Sequence, residues 1–295
     1  MSDTAALTTQ PPAPEGRPVL PILVSVEPGE PAAESGSTWN TEFPDGLQSV
    51  GTAMHGGVVV ASMAASAARA TGRRLTAITA HLHSPVGVGA AACDVLELTS
   101  GRTATTVRLD LRQDRLRVSA TALLTADETG PELPVVVPPV AAGPIPAAPA
   151  RDGMPAEPPH SRGFFRSLEV VWAGEARPLS GHPEALVQAW MRPRLPVDDT
   201  AAAAVMLLDA MAPTLLVLKT EPQVVFTIEY TVHLTPAAHR PFEPGQWFFV
   251  RQHTVWAVGD LSVDDAQLWS DAGELIGSAR QTRRTMPMPA KAPAR

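Results

Sequence analysis

The sequence predicts an α+β protein built from one unit used twice, a single helix followed by an antiparallel sheet. Three observations lead there. Two stretches of small apolar residues, opened by His55-Gly56-Gly57 and by Asp198-Asp199-Thr200, have helical length and helix-start chemistry. Each is followed by four segments rich in Val, Leu, Ile and Thr and broken at turn residues. A proline-rich stretch separates the two sets, and the order of elements repeats across it.

Taken in order, residues 1–37 mix Pro, Gly, Ser and Glu and are expected as a mobile N-terminal tail, with a short strand possible over 19–26. Residues 38–126 form the first unit. A strand over 39–43 precedes a helix from Gly56 to about Ala70, which Gly72-Arg73-Arg74 ends with basic residues where the helix dipole favours them. Strands follow over 75–86, 90–99, 103–112 and 115–125. The third sets Val107, Leu109 and Leu111 against Arg108, Asp110 and Arg112, so one face is buried and the other wet. Residues 127–163, with Pro131, Pro134, Pro138, Pro139, Pro144, Pro146 and Pro149, read as a linker. Residues 164–286 form the second unit: strands over 167–172 and 186–191, a helix from Thr200 ended by Pro213, then strands over 223–234, 247–258, 261–270 and 274–284. Trp247, Phe248 and Phe249 are expected in its core. Residues 287–295 are a C-terminal tail.

Bulk properties narrow the function. A net charge of −7 argues against nucleic acid or an anionic membrane as partner, while a local cluster of Arg or Lys would still serve an anionic ligand. The one cysteine, Cys93, excludes an intrachain disulfide and a Cys-rich zinc site, and its strand-like setting marks it as a packed side chain. His81 and His83 point to one face of a strand but lack a nearby acid or Cys, so no metal and no cofactor are expected. No nucleophile elbow, Walker loop or dinucleotide fingerprint occurs. No secretory signal or membrane-spanning helix is visible, and a cytoplasmic location is the expectation.

The chemistry centres on Asp209, the only charged residue between Thr200 and Leu218. A carboxylate in so apolar a stretch is costly to bury unless it is paired or used. Thr227 and Gln281 lie on two strand-like segments downstream. An acid, a hydroxyl and an amide on three packed elements can hold one water.

Here the residues reach a family. His55-Gly56-Gly57-Val58-Val59, the Trp-bearing strand Val187-Gln188-Ala189-Trp190-Met191-Arg192, Leu208-Asp209, Thr227-Ile228-Glu229 and the terminal Gly273-Glu274-Leu275-Ile276-Gly277-Ser278-Ala279-Arg280-Gln281 occur in an order and spacing that resembles the double-hotdog acyl-CoA thioesterase II group of bacteria. The resemblance covers roughly residues 38–286. It implies two tandem hotdog units, each a central helix wrapped by a curved antiparallel sheet. It also implies hydrolysis of an acyl-CoA or related thioester, in the service of lipid metabolism, by a water bound to Asp209, Thr227 and Gln281. Gly56 and Gly57 are expected on the oxyanion side through their backbone amides, with His55 a possible member of the site and otherwise a capping or packing residue. Coenzyme A is then part of the substrate, and a homodimer or larger homo-oligomer is a possible assembly.

Helix and strand comparison also predicts one site per chain. No Asp or Glu occurs between Gly51 and Cys93, and aligning Ser119-Ala120 with Ser278-Ala279 sets Ala122 opposite Gln281, with Thr76 the counterpart of Thr227. Two departures stand out: Glu229-Tyr230 where Asp-His is usual, and His55 where Phe is common. They leave two alternatives: a non-hydrolytic acyl-thioester-binding protein, and a hotdog dehydratase or hydratase using His55 with Asp209. Arg280, Arg283 and Arg284 are expected as a solvated strand edge.

Overall fold

A computed structural model describes residues 20–30, 36–126, 136, 146–149 and 163–286. The first half contains β1 (Val26–Pro28), β2 (Ser37–Phe43), β3 (Gln48–Val50), β4 (Ala53–Met54), α1 (Gly56–Thr71), β5 (Arg74–Leu82), β6 (Gly89–Ser100), β7 (Ala104–Arg112) and β8 (Leu116–Thr125). The second contains β9 (Leu168–Trp172), β10 (Leu186–Pro193), α2 (Thr200–Leu208), β11 (Val224–Leu234), β12 (Phe248–Val258), β13 (Leu261–Ser270) and β14 (Leu275–Met286), with 3-10 turns at Gly163–Ser167, Thr214–Leu218 and Pro236–His239. The expected linker and C-terminal tail fall almost wholly outside the described residues.

Helix α1 is apolar all round because it is enclosed: every residue from Gly57 to Ala67 is buried. Its two buried hydroxyls are satisfied within the helix, Ser62 donating to the Val59 carbonyl and Ser66 to that of Ser62. Gly72 ends it in the left-handed conformation at φ 64°, where a side chain would be strained. Helix α2 starts as the sequence indicates, with Asp199 accepting from the Ala202 N–H at 2.9 Å. It stops earlier than Pro213, at Leu208. Asp209 is the C-cap, its own N–H turning to the Met206 carbonyl in a tighter bond. The residue expected inside the helix therefore stands at its end, where its side chain is free to leave the helix.

Twelve strands form one antiparallel sheet in the order β1-β2-β6-β7-β8-β5-β11-β14-β13-β12-β10-β9, while β3 and β4 make a separate ribbon leading into α1. The halves join edge to edge at β5 and β11, with Ala80 opposite Tyr230 and Ile78 opposite Val232. Both helices pack against the same side, and one apolar core runs through both halves, as expected of a double hotdog. A second cluster of Trp190, Trp247, Phe249 and Trp269 lies apart from it, while Phe248 joins the main core.

Part of the segment expected as a tail belongs to the fold. Ile22 and Val26 are buried, β1 pairs with β2, and Arg69 of α1 donates to the Val26 carbonyl. The apolar residues of that segment cover core surface that would otherwise face water.

The register of the two halves is the same. In β5–β8 the pairs are Leu75↔Leu124, Ile78↔Ala122 and Ala80↔Ala120; in β11–β14 they are Thr227↔Arg283, Tyr230↔Gln281 and Val232↔Ala279. Each ladder carries a bulge at the matching place, between Leu75 and Ala77 in one and between Thr227 and Glu229 in the other. Ala122 is thus the counterpart of Gln281, as the sequence indicates. Thr76 is not the counterpart of Thr227: it is the bulged residue matching Ile228, and Leu75 holds the Thr227 position. The offset between the two strands is constant through the bulge, so Thr76 and Thr227 share a residue type but not a position.

Candidate active site

The three residues singled out from the sequence meet at the seam between the helices. The Asp209 carboxylate, 6% exposed, accepts through Oδ2 from the Gly57 N–H at 2.6 Å and through Oδ1 from Gln281 Nε2 at 2.8 Å. Gln281, 1% exposed, accepts through Oε1 from the Thr227 hydroxyl at 2.8 Å. Thr227 in turn accepts from Arg283 Nη1 at 2.9 Å. The result is a directed chain from guanidinium to hydroxyl to amide to carboxylate, closed by a backbone amide from the other half.

Gly57 is required by this closeness. A Cβ there would lie 2.8 Å from Asp209 Cβ and 3.0 Å from the Met206 carbonyl oxygen. Its amide also has a different task from the one expected: it is committed to the Asp209 carboxylate rather than free to meet a substrate oxygen. The neighbouring Gly56 N–H, at the first helical position, has no partner within its helix.

His55 stacks on Phe164 with ring centroids 3.9 Å apart, and its Nδ1 lies 3.6 Å from Asp209 Oδ2. Burial lowers its pKa below 6.5, only partly opposed by the Asp209 charge, so the imidazole is neutral. It stands at the N-cap position, packed on Phe164, and makes no capping bond through its side chain.

A cavity of about 400 Å³ opens onto this group and is lined by His55, Gly56, Asp209, Thr227 and Arg283. Its other walls include Met54, Val59, Leu82, Phe165, Met211 and Leu216. Gln281 lies behind Asp209 and Thr227, holding both.

Two members escaped the sequence reading. Arg280 and Arg284 are exposed as expected, paired with Asp265 and Asp260, but they stand on the open face of the sheet and not at an edge, because β14 is paired with β11 on one side and β13 on the other. Arg283 differs: it is 3% exposed and turned into the site, its Nε 2.9 Å from Asp264 Oδ2 and its Nη2 3.8 Å from Asp209 Oδ1. Alternation along β14 carried the signal, because Arg283 shares the face of Gln281. Asp264, 1% exposed, accepts from the Thr254 hydroxyl at 2.8 Å and lies 3.4 Å from both Gln252 Nε2 and the Thr214 N–H. Adjacent Asp264 and Asp265 face opposite sides of a strand, and the sequence does not say which faces in.

Glu229 and Tyr230 leave the chain of hydrogen bonds intact. Glu229 accepts from Thr231 at 3.0 Å and Thr282 at 2.6 Å, and Tyr230 donates to the Val205 carbonyl at 2.5 Å. His83 bonds Ser119 at 2.8 Å, and among the described residues no three His, Cys, Asp or Glu side chains are grouped as for a metal. No helix among them is long and apolar enough to cross a membrane.

Comparison with known proteins agrees with this architecture. The family model for the acyl-CoA thioesterase N-terminal domain matches residues 43–126, and that for the acyl-CoA thioesterase C-terminal domain matches residues 142–284. Among solved structures, a protein assigned as a thioesterase II from Thermobifida fusca YX superposes with a TM-score of 0.73 at 22% identity, over 89% of this chain and 95% of that one. A hot dog protein of unknown function from Alicyclobacillus acidocaldarius gives 0.71 at 17% identity, over 89% and 96%. An acyl-CoA thioesterase II from Mycobacterium marinum gives 0.65 at 18% identity, over 91% and 98%. A comparison with curated protein sequences found no significant match. With both domain models matched in tandem on a double hotdog, the chain belongs to the acyl-CoA thioesterase family and is a thioester hydrolase.

Proposed function

We propose that the protein hydrolyses acyl-CoA to the free acid and coenzyme A, with Asp209 as general base. The observation that carries this is the polarity of the hydrogen-bonded chain. The Thr227 proton is committed to Gln281, so toward a water in the cavity Thr227 can only accept, and so can the Asp209 carboxylate. A water donating to both keeps a lone pair for attack.

The steps balance as follows. The water oxygen bonds the thioester carbonyl carbon while its proton passes to Asp209. The carbonyl oxygen becomes an oxyanion, to which the Gly56 N–H at the start of α1 is the available donor. Collapse restores the carbonyl and breaks the C–S bond, and the departing sulfur takes the proton back from Asp209. The apolar walls, Met54, Val59, Leu82, Phe165, Met211 and Leu216, suit an aliphatic acyl chain.

Thiol release from acyl-CoAs of graded chain length, with wild type beside Asp209→Asn, tests the proposal. A chain-length optimum that drops by about 10²–10⁴-fold in the variant is expected. Equal turnover in both proteins would remove Asp209 as the base. A dehydratase or hydratase reading draws on one observation, the 3.6 Å approach of His55 to Asp209 within the same cavity. Water addition to an enoyl-CoA, followed at the double bond, would identify it.

A further inference from the structure

The polar groups around Asp209, buried Asp264, Gln281 and Arg283 and half-buried Thr227, are not demanded by the fold, because the first half builds the same strands without them. Register sets Thr227 against Leu75, Gln281 against Ala122 and Arg283 against Leu124. In the next ladder Asp264 pairs with Gln281 as Val107 pairs with Ala122, so Asp264 matches Val107. Leu75, Val107, Ala122 and Leu124 are all buried. One half fills four equivalent positions with apolar side chains and the other with a hydroxyl, an acid, an amide and a guanidinium.

Buried ions need a reason. An arginine and an aspartate withdrawn from water lose hydration that their mutual attraction repays only in part, and an apolar pair of similar size is often as stable. Leu124 and Val107 show that this fold accepts such a pair. Arg283 instead spans three groups: Asp264 at Nε, the Thr227 hydroxyl at Nη1 and the Asp209 carboxylate at Nη2. Its Nε and Nη2 are both buried and make no hydrogen bond among the described residues, so Asp264 and Asp209 meet the guanidinium as ion pairs while Thr227 takes its hydrogen bond. It also lines the cavity that holds Asp209 and Thr227.

We infer that Arg283, anchored by Asp264, is a positioning residue of the hydrolytic site: it fixes the Thr227 hydroxyl and sets a permanent positive charge beside the Asp209 carboxylate. The inference rests on the proposed role of Asp209. Asp264 acts at one remove, holding the guanidinium from the far side and being held itself by Thr254, Gln252 and the Thr214 amide. A planar fork suits this task where a flexible ammonium does not.

The test copies the first half into the second. The double variant Asp264→Val/Arg283→Leu reproduces the Val107–Leu124 packing, and Arg283→Lys keeps the charge without the fork. Thiol release from the acyl-CoA preferred in the graded series is followed as kcat and KM, together with Tm. The double variant is expected to fold with a Tm within a few degrees of wild type. Its kcat should fall about 10–100-fold with KM little changed. Arg283→Lys, which keeps the charge beside Asp209, should recover part of that kcat, again with KM little changed. A double variant with kcat within about threefold of wild type, or one that loses through KM alone, would overturn the inference. So would failure of the double variant to fold, since the pair would then serve the fold. Asp209→Asn separates the two readings: if it abolishes turnover while the double variant is normal, the site stands and Arg283 does not. If Asp209→Asn is itself active, both fall.

Discussion

Substituting Gly57 by alanine tests the seam between the halves. The added Cβ would sit 2.8 Å from Asp209 Cβ, about 0.7 Å inside ordinary carbon–carbon contact, and 3.0 Å from the Met206 carbonyl oxygen. Neither atom is the loose end of a side chain, and α2 is buried from Ala201 to Leu208, so it has nowhere to retreat. Overpacking of this kind costs about 1–3 kcal/mol, and alanine's better helix propensity offsets up to about 1 kcal/mol. A net loss of about 1–2 kcal/mol is expected, which lowers Tm by about 2–8 °C in a chain of this size. Activity should fall further than stability. Spreading the helices stretches the 2.6 Å bond from the Gly57 amide to Asp209, and a displacement approaching an ångström costs about 10²-fold in rate. Gly56→Ala is the control for stability alone: its Cβ would meet Asp209 Oδ2 at 3.2 Å and Leu82 Cδ2 at 3.5 Å, without the 2.8 Å overlap found at Gly57. Thermal melts of both variants and kcat of Gly57→Ala decide the matter. A Gly57→Ala protein that melts and turns over like wild type would show that the helix ends do not meet this closely.

Two further outcomes follow from buried groups. His55 is neutral in the fold because burial lowers its pKa from 6.5, so it binds a proton more readily once unfolded. Its contribution to stability is complete above pH 6.5 and is lost as pH falls from there toward the folded-state pKa. Tm should therefore drop below pH 6.5, and less so in His55→Phe, where a ring stacked on Phe164 has nothing to titrate; equal slopes in the two proteins would contradict this. The Cys93 thiol is pushed up to about 12 by burial, so a disulfide reagent at pH 8 should find no reactive thiol in the native protein and one after denaturation. That result also clears the thiol-release assay of background from the enzyme.

Much of the fold was legible because its signals are local. Helix starts at Gly56 and Thr200, alternation along β7 and turn residues between strands all follow from neighbours in sequence. The site was legible where a residue was out of character, as Asp209 is in an apolar run. It was not legible where several charges stand together. Arg280, Arg283 and Arg284 look alike in the sequence, and only the pleat sends Arg283 inward. Adjacent Asp264 and Asp265 pose the same two-fold choice. The commitment of the Gly57 amide to Asp209 depends on how two helices dock across the whole chain, which no local pattern encodes. The true counterpart of Thr227 likewise rests on the register of strand pairing, and a shared residue type at Thr76 does not supply it.

The amide that closes the hydrogen-bonded chain has a consequence for how this protein becomes an enzyme. Asp209 comes from one half and the Gly57 N–H that seats it comes from the other, so neither half alone contains an assembled base. Activity is then a report on assembly: a chain whose halves have folded but not docked holds a carboxylate without its mount. Fusing two copies into one chain makes that docking intramolecular and independent of concentration. It also frees each copy from symmetry, so that one could become wall and scaffold while the other gathered the polar groups.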